Sequence, residues 1–202
     1  MAVLKVDNVS KSFDGEEIIK NISLTLNEGE IVSLLGVSGG GKTTLFNIIS
    51  GLSVPDEGNI FLGTEKITGK PGTISYMLQK DLLLPYRTIV DNVALPLIIR
   101  GMKKADARKK AASYFSEFGL EGTEKKYPAQ LSGGMKQRAA LLRTYLFSEK
   151  VALLDEPFSA LDMLTKGAVH EAYAGSPDDY QPSGDRSDEH EPCVRKSDRV
   201  HE

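Results

Sequence analysis

A single cysteine, Cys193, stands in the 202 residues. No disulfide can therefore form within the chain, and the composition suits a reducing compartment. Basic residues are not in excess. The 25 Lys and Arg against 28 Asp and Glu leave a net charge of −3, so the electrostatic footprint of a nucleic-acid binder is missing. No uncharged apolar run approaches the roughly 18–20 residues of a membrane-spanning helix. The opening residues, MAVLKVDNVSKSF, carry no apolar segment behind a basic start, and no secretory signal is expected. Any link to a membrane would then run through a partner. With 40% apolar and 26% charged residues, the chain has an ordinary globular make-up, sized for one α/β domain or at most two small ones.

A second scarcity is local. Between Gly167 and Glu202 there is no Leu, Ile, Met or Phe, yet all three histidines (His170, His190, His201) and Cys193 fall there. The segment holds nine acids and four bases, a net of −5, which leaves +2 for residues 1–166. Three prolines and three glycines interrupt it. So few aliphatic side chains cannot repay the entropy of ordering, and a loosely ordered segment is expected.

The rest of the chain is patterned. Short apolar pieces between Ala2 and Asn27, parted by Asp14-Gly15 and Glu28-Gly29, predict an antiparallel strand group. Glu30–Leu35 (EIVSLL) reads as a buried strand and Thr43–Ser50 as a helix, with further strands at Asn59–Leu62, Thr73–Leu78 and Val151–Leu154. From Asp91 to Phe147 apolar residues recur every three or four positions. Ala111, Tyr114, Phe115, Phe118 form one such series and Met135, Ala139, Leu142, Leu146 another, as helix faces require. Strand, helix, strands, helical insert and strand together suggest a mostly parallel sheet with helices around it.

Gly36-Val37-Ser38-Gly39-Gly40-Gly41-Lys42-Thr43 fits the phosphate-loop pattern and lies between a predicted strand and a predicted helix. In such a turn successive backbone N–H groups point inward to phosphate oxygens, and the helix start adds positive potential. Lys42 would neutralise β/γ-phosphate charge and Thr43 would give its hydroxyl to Mg²⁺. A chance glycine-rich turn is the alternative, and the strand–helix context disfavours it. Asp155 and Glu156 follow the aliphatic run Val151–Leu154. Alone they could be solvated charges. After a phosphate loop they read as a Mg²⁺ carboxylate and a base that polarises water.

Leu131-Ser132-Gly133-Gly134-Met135-Lys136-Gln137-Arg138 precedes an amphipathic helix. It resembles the signature motif of ABC-type ATPases. Other family motifs fall in order around it: Gln79 as the Q-loop, Asp155-Glu156-Pro157 as Walker B and Ser159–Asp162 as the D-loop. Phe13 stands where family members place an aromatic that stacks on adenine, although as an isolated aromatic it could equally lie in a core. The resemblance covers residues 2 to about 166. It implies an α/β, P-loop NTPase core of the ABC ATPase type, with an N-terminal antiparallel β part and a helical subdomain. Residues 1–79 would form the first part of the core, 80–147 the helical subdomain, 148–166 the core continued, and 167–202 a divergent tail.

The resemblance further implies ATP as ligand and Mg²⁺ as cofactor. Phe13, Gly36, Ser38, Gly39, Gly40, Gly41, Lys42, Thr43, Thr44 and Asp162 would bind the nucleotide, and Ser132, Gly133 and Gly134 would do so across a head-to-tail dimer. Thr43, Gln79 and Asp155 would face the metal, while Glu156 and Gln79 would serve the chemistry. Partners would be a second ATPase subunit, transmembrane permease subunits docked on the helical part and, indirectly, a solute-binding protein, at the cytoplasmic face of the membrane. Gln79–Pro85, Val90–Val93 and Glu156–Asp162 look most like the ATPases of nitrate, sulfonate, taurine and thiamine-precursor importers. The cluster Lys103, Lys104, Arg108, Lys109, Lys110 reads as a solvated helix face rather than a contact to acidic lipid.

Beyond the D-loop the sequence departs from the family. The histidine that contacts the γ-phosphate in family members should fall near position 188, where Asp188 stands, and Gln181–Ser187, with its proline and glycine, is a poor central strand. His190 is near in sequence but has no upstream strand to position it. Ser197-Asp198-Arg199-Val200 is again family-like. That pattern fits a segment of about 167–196 read in a shifted frame, in a chain that also stops early; true divergence to a polar tail is the alternative. A C-terminal part lacking a core strand, with weak or absent turnover, is the expectation.

Overall fold

The structure, a computed structural model, describes residues 2–37, 39–147 and 150–155, together with the backbone of 193–197. Expectations that fall on Ser38, Glu156, Asp162, Asp188 or His190 lie outside the described residues. Two compact units divide the chain after Thr73, the first also taking in the strand at 193–197.

The first unit is built on a four-stranded antiparallel sheet in the order β2-β1-β4-β5, from β1 (Ala2–Phe13), β2 (Glu16–Asn27), β4 (Glu57–Leu62) and β5 (Glu65–Lys66). β1 and β2 are longer than the separate apolar pieces suggest. Asn8 and Asn21 sit at φ 48°, in the left-handed region that asparagine tolerates better than most residues. Near them the ladder shifts register, between Val6 and Val9 and between Val9 and Lys11. Bulges of this kind let a strand continue while its twist increases. Leu4, Val6, Val9, Ile19, Ile60 and Ile67 are buried from these strands and the segment after β5.

β3 (Ile31–Leu35) leads into the glycine loop and α1 (Lys42–Ile49). Leu45, Ile48 and Ile49 bury one face of α1. Two sequence expectations need correction here. β3 is half-buried to exposed along its length rather than buried, and its described ladder is antiparallel, to β8 (Cys193–Ser197), from Ile31 opposite Ser197 to Leu35 opposite Cys193. A strand becomes fully buried when both faces are covered, and the half-exposed residues show that this is not so here. Within the segment expected to be loosely ordered, residues 193–197 therefore form a strand.

The second unit contains β6 (Ser75–Met77), α2 (Ile89–Val93), α3 (Leu95–Ile99), α4 (Lys104–Ala112), α5 (Gly133–Tyr145) and β7 (Ala152–Leu154). β6 and β7 pair in parallel, Ser75 with Ala152 through Met77 with Leu154. Theirs is the one parallel ladder among the described residues, so the mostly parallel sheet expected from sequence is not what these residues form. The expected helix face at Ala111–Phe118 is also divided. α4 ends at Ala112, and Phe115 and Phe118 are buried from the turns that follow. Ala139, Leu142 and Leu146 are buried as expected, and Ala140, Leu141 and Thr144 are buried with them. α5 is thus enclosed on more than one side. No helix among the described residues is long and apolar enough to cross a membrane.

Candidate nucleotide-binding site

In the first unit the loop after β3 turns sharply into α1. Gly40 N–H donates to Val37 O at 3.1 Å and Gly41 N–H to Gly39 O at 2.9 Å, which closes the loop on itself. Gly41 is the N-cap of α1 with φ 76°. A Cβ there would also lie 3.0 Å from the Ile18 carbonyl oxygen, so both conformation and space demand glycine. The first-turn amides of a helix have no partner within it and direct partial positive charge toward the loop. Lys42 Nζ donates to the carbonyls of Gly36 at 2.8 Å and Val37 at 2.7 Å. Both are neutral acceptors, so neither bond cancels the lysine charge. Thr43 is exposed and Thr44 half-buried in the same first turn.

Phe13 ends β1 immediately before the turn Asp14-Gly15, whose φ values are 51° and 84°. Two consecutive residues with positive φ make the hairpin turn suited to strand twist. Phe13 is 48% exposed, so it does not lie in the core. Lys11 Nζ lies 5.4 Å from its ring centroid and bonds Asp56 Oδ1 at 2.7 Å.

In the second unit, the parallel pairing of β6 and β7 brings their C-terminal ends side by side. Gln79 follows β6 and is exposed; Asp155 follows β7 and is buried. Asp155 N–H donates to Met77 O at 3.0 Å, and the Tyr76 hydroxyl donates to Asp155 Oδ2 at 3.4 Å. Burial, with Asp155 nearby, pushes the Tyr76 phenol well above its ordinary pKa, so Tyr76 keeps its proton and points it at the carboxylate. The carboxyl ends of parallel strands are where open α/β sheets bind ligands. The donors that sequence assigns to the metal, namely the Thr43 hydroxyl, the Gln79 amide oxygen and the Asp155 carboxylate, are all hard oxygen ligands. That is the set Mg²⁺ takes.

Ser132 is the N-cap of α5, and its Oγ accepts from Met135 N–H at 3.3 Å. Capping uses the oxygen as an acceptor and leaves the hydroxyl hydrogen to donate elsewhere. Ser132 and Gly133 are exposed, and a Cβ on Gly133 would meet nothing within 4 Å. The start of α5 is therefore open to an anion, with the helix dipole favouring one.

A family model for ABC transporters matches residues 19–159. The chain belongs to the ABC transporter family. It is 49% identical over 169 residues to the formylaminopyrimidine import ATP-binding protein ThiZ of Halalkalibacterium halodurans, which covers 83% of this chain and 66% of that one. The taurine import ATP-binding protein TauB of Escherichia coli O157:H7 is 38% identical over 164 residues, 81% of this chain and 64% of its own. Among solved structures, the post-hydrolysis dimer of the ATP-binding cassette MJ0796 bound to ADP and Pi superposes with a TM-score of 0.74 at 33% identity. That match covers 83% of this chain and 80% of that one. Against the curated ABC relatives it matches, the chain spans 45% to 71% of their length.

Some residues that organise this ABC cassette are not singled out for chemistry by the sequence. Asn92 is fully buried; its Oδ1 accepts from Leu84 N–H at 2.7 Å, and its Nδ2 donates to the carbonyls of Leu84, Arg87 and Thr88. It thus fixes the far end of the loop that begins at Gln79. Asp91, beside it, takes a two-point bond from Arg108, 2.7 Å from Nε and 2.5 Å from Nη2. One member of the basic cluster is therefore committed to joining α4 to α2. Arg143, from α5, donates to the carbonyls of Asp81 and Leu82. The signal for Asn92 and Arg143 was a polar residue within an apolar helical run, but neither run reveals which carbonyls are bound.

Proposed function

We propose that this chain is the ATP-binding, ATP-hydrolysing subunit of an ABC importer for small solutes. The observation that carries the reading is the closed glycine loop with Lys42 over it, at the start of α1. It would offer helix-start amides and the Lys42 cation to a triphosphate. Lys42 would exchange its carbonyl partners for β/γ-phosphate oxygens, and Phe13 would stack on the adenine. Thr43, Gln79 and Asp155 would hold Mg²⁺, which would supply positive charge against the charge that develops on the phosphates. Glu156 would orient and polarise the attacking water. Ser132, Gly133 and Gly134 would meet the nucleotide of a second subunit in a head-to-tail dimer, so that ATP joins the two and hydrolysis releases them.

Residues 80–147 would dock on permease subunits at the cytoplasmic face of the membrane and serve, through them, a solute-binding protein. The relatives named for formylaminopyrimidine and taurine import suggest a small polar organic solute. A second reading is a nucleotide-binding chain with little turnover. It is favoured by the polar segment after Gly167, with Asp188 where the family places a histidine. ATP binding together with phosphate release separates the two. The first reading requires turnover that Glu156→Gln abolishes; the second requires ATP binding sensitive to Lys42→Ala without turnover.

A further inference from the structure

The loop that leaves Gln79 is held by a cation from a distant part of the sequence. Arg143 Nη2 donates to Asp81 O at 2.7 Å and Nη1 to Leu82 O at 2.9 Å. Between these two carbonyls the backbone turns left-handed, Leu82 lying at φ 44°. For a leucine that conformation is unfavourable, and with the side chain 53% exposed burial gives little in return. The guanidinium compensates, because its planar fork offers two parallel donors in fixed geometry. A further tie comes from Asp81 Oδ1, which accepts from Leu83 N–H at 3.0 Å. Desolvation disfavours the Arg143 charge, and the carbonyl oxygens supply the acceptors that a sequestered cation needs.

We infer that Arg143 is a positioning residue for Gln79, fixing the two carbonyls just beyond it so that the Gln79 amide is presented to Mg²⁺. The inference rests on the reading of Gln79 as a metal-facing residue. α5 carries Arg143 about 15 Å from its first turn, ten residues at the helical rise. One rigid helix thus bears both the Ser132–Gly134 start and the hold on the Gln79 loop.

The test is the affinity of the full chain for a fluorescent ATP analogue, measured with Mg²⁺ and with EDTA, in parallel with thermal unfolding. Arg143→Lys keeps a cation but loses the fork, and Arg143→Gln is a second route should the first not fold. The Mg²⁺-dependent gain in affinity is expected to fall about tenfold in Arg143→Lys, the lower end of what losing an outer partner costs a metal site. Gln79→Ala should lose the same gain, the double variant should lose no more, and affinity in EDTA should stay unchanged. If Gln79→Ala loses the gain while Arg143→Lys retains it, the inference about Arg143 is wrong and the reading of Gln79 stands. If Gln79→Ala retains it, that reading fails and the inference falls with it. A loss of affinity equal in Mg²⁺ and EDTA would show a purely structural arginine and likewise overturn the proposal.

Discussion

Gly41 carries two demands at once, a φ of 76° and a Cβ position 3.0 Å from the Ile18 carbonyl. Gly41→Ala is expected to cost about 1–2 kcal/mol from the backbone conformation alone. Thermal unfolding checks that, and ATP affinity should fall with it because the amides turn out of register. Asn92 makes a contrasting case. Asn92→Leu keeps the volume but strands Leu84 N–H and takes a donor from the Arg87 carbonyl, while the Leu84 and Thr88 carbonyls keep backbone bonds from Arg87 and residue 92. It should lower stability by about 1–3 kcal/mol in denaturant unfolding. The glycine loop was legible in sequence because its demand is local: glycines, lysine and threonine lie within eight consecutive positions. The partners of Arg143 lie 61 and 62 positions away. No spacing rule connects an arginine set among the leucines of that helix to those carbonyls, so its role became visible only in three dimensions.

At the level of elements, α2 and α4 are joined through Asp91 and Arg108. The hydrogen bond from Arg108 holds the Asp91 carboxyl below the usual carboxylate range. A carboxyl more acidic in the folded than in the unfolded chain stabilises above its unfolded pKa and loses that contribution as pH falls through the folded value. Unfolding measured from pH 6 down to about pH 3 should therefore show an acid-sensitive part of stability that Asp91→Asn removes. The strands teach a different lesson. β1 and β2 appeared as fragments because alternation breaks at their bulges, where left-handed Asn8 and Asn21 keep the pairing going. β3 reads as a buried strand from its aliphatic run, yet it is partly exposed with an antiparallel neighbour. Apolar content specifies that a strand is wanted, whereas direction and burial depend on which segments arrive to cover it.

For the whole molecule, family membership and an unusual last segment stand together. The phosphate loop and the β6–β7 pair carry the groups expected for Mg²⁺ and ATP, and β8 supplies a ladder to β3. The segment after Gly167 has no Leu, Ile, Met or Phe. Three or four absent core aliphatics would forgo about 1.5–3 kcal/mol each, against a net domain stability of about 5–15 kcal/mol. Low thermal stability that rises on adding Mg·ATP is the expected behaviour, since ligand that binds only the folded state stabilises it. A melting series over nucleotide concentration checks this. Phosphate release should be slow, and ATP binding without any release would favour the reading of a nucleotide-binding chain with little turnover.

The central claim is that the loop from Gly36 to Thr43 binds ATP. Calorimetric titration of ATP into the purified chain, beside Lys42→Ala, addresses it directly. The account predicts saturable binding that weakens by at least about 2 kcal/mol, roughly thirtyfold, when Lys42 is removed. No binding by the parent chain, or equal binding by both proteins, would contradict it.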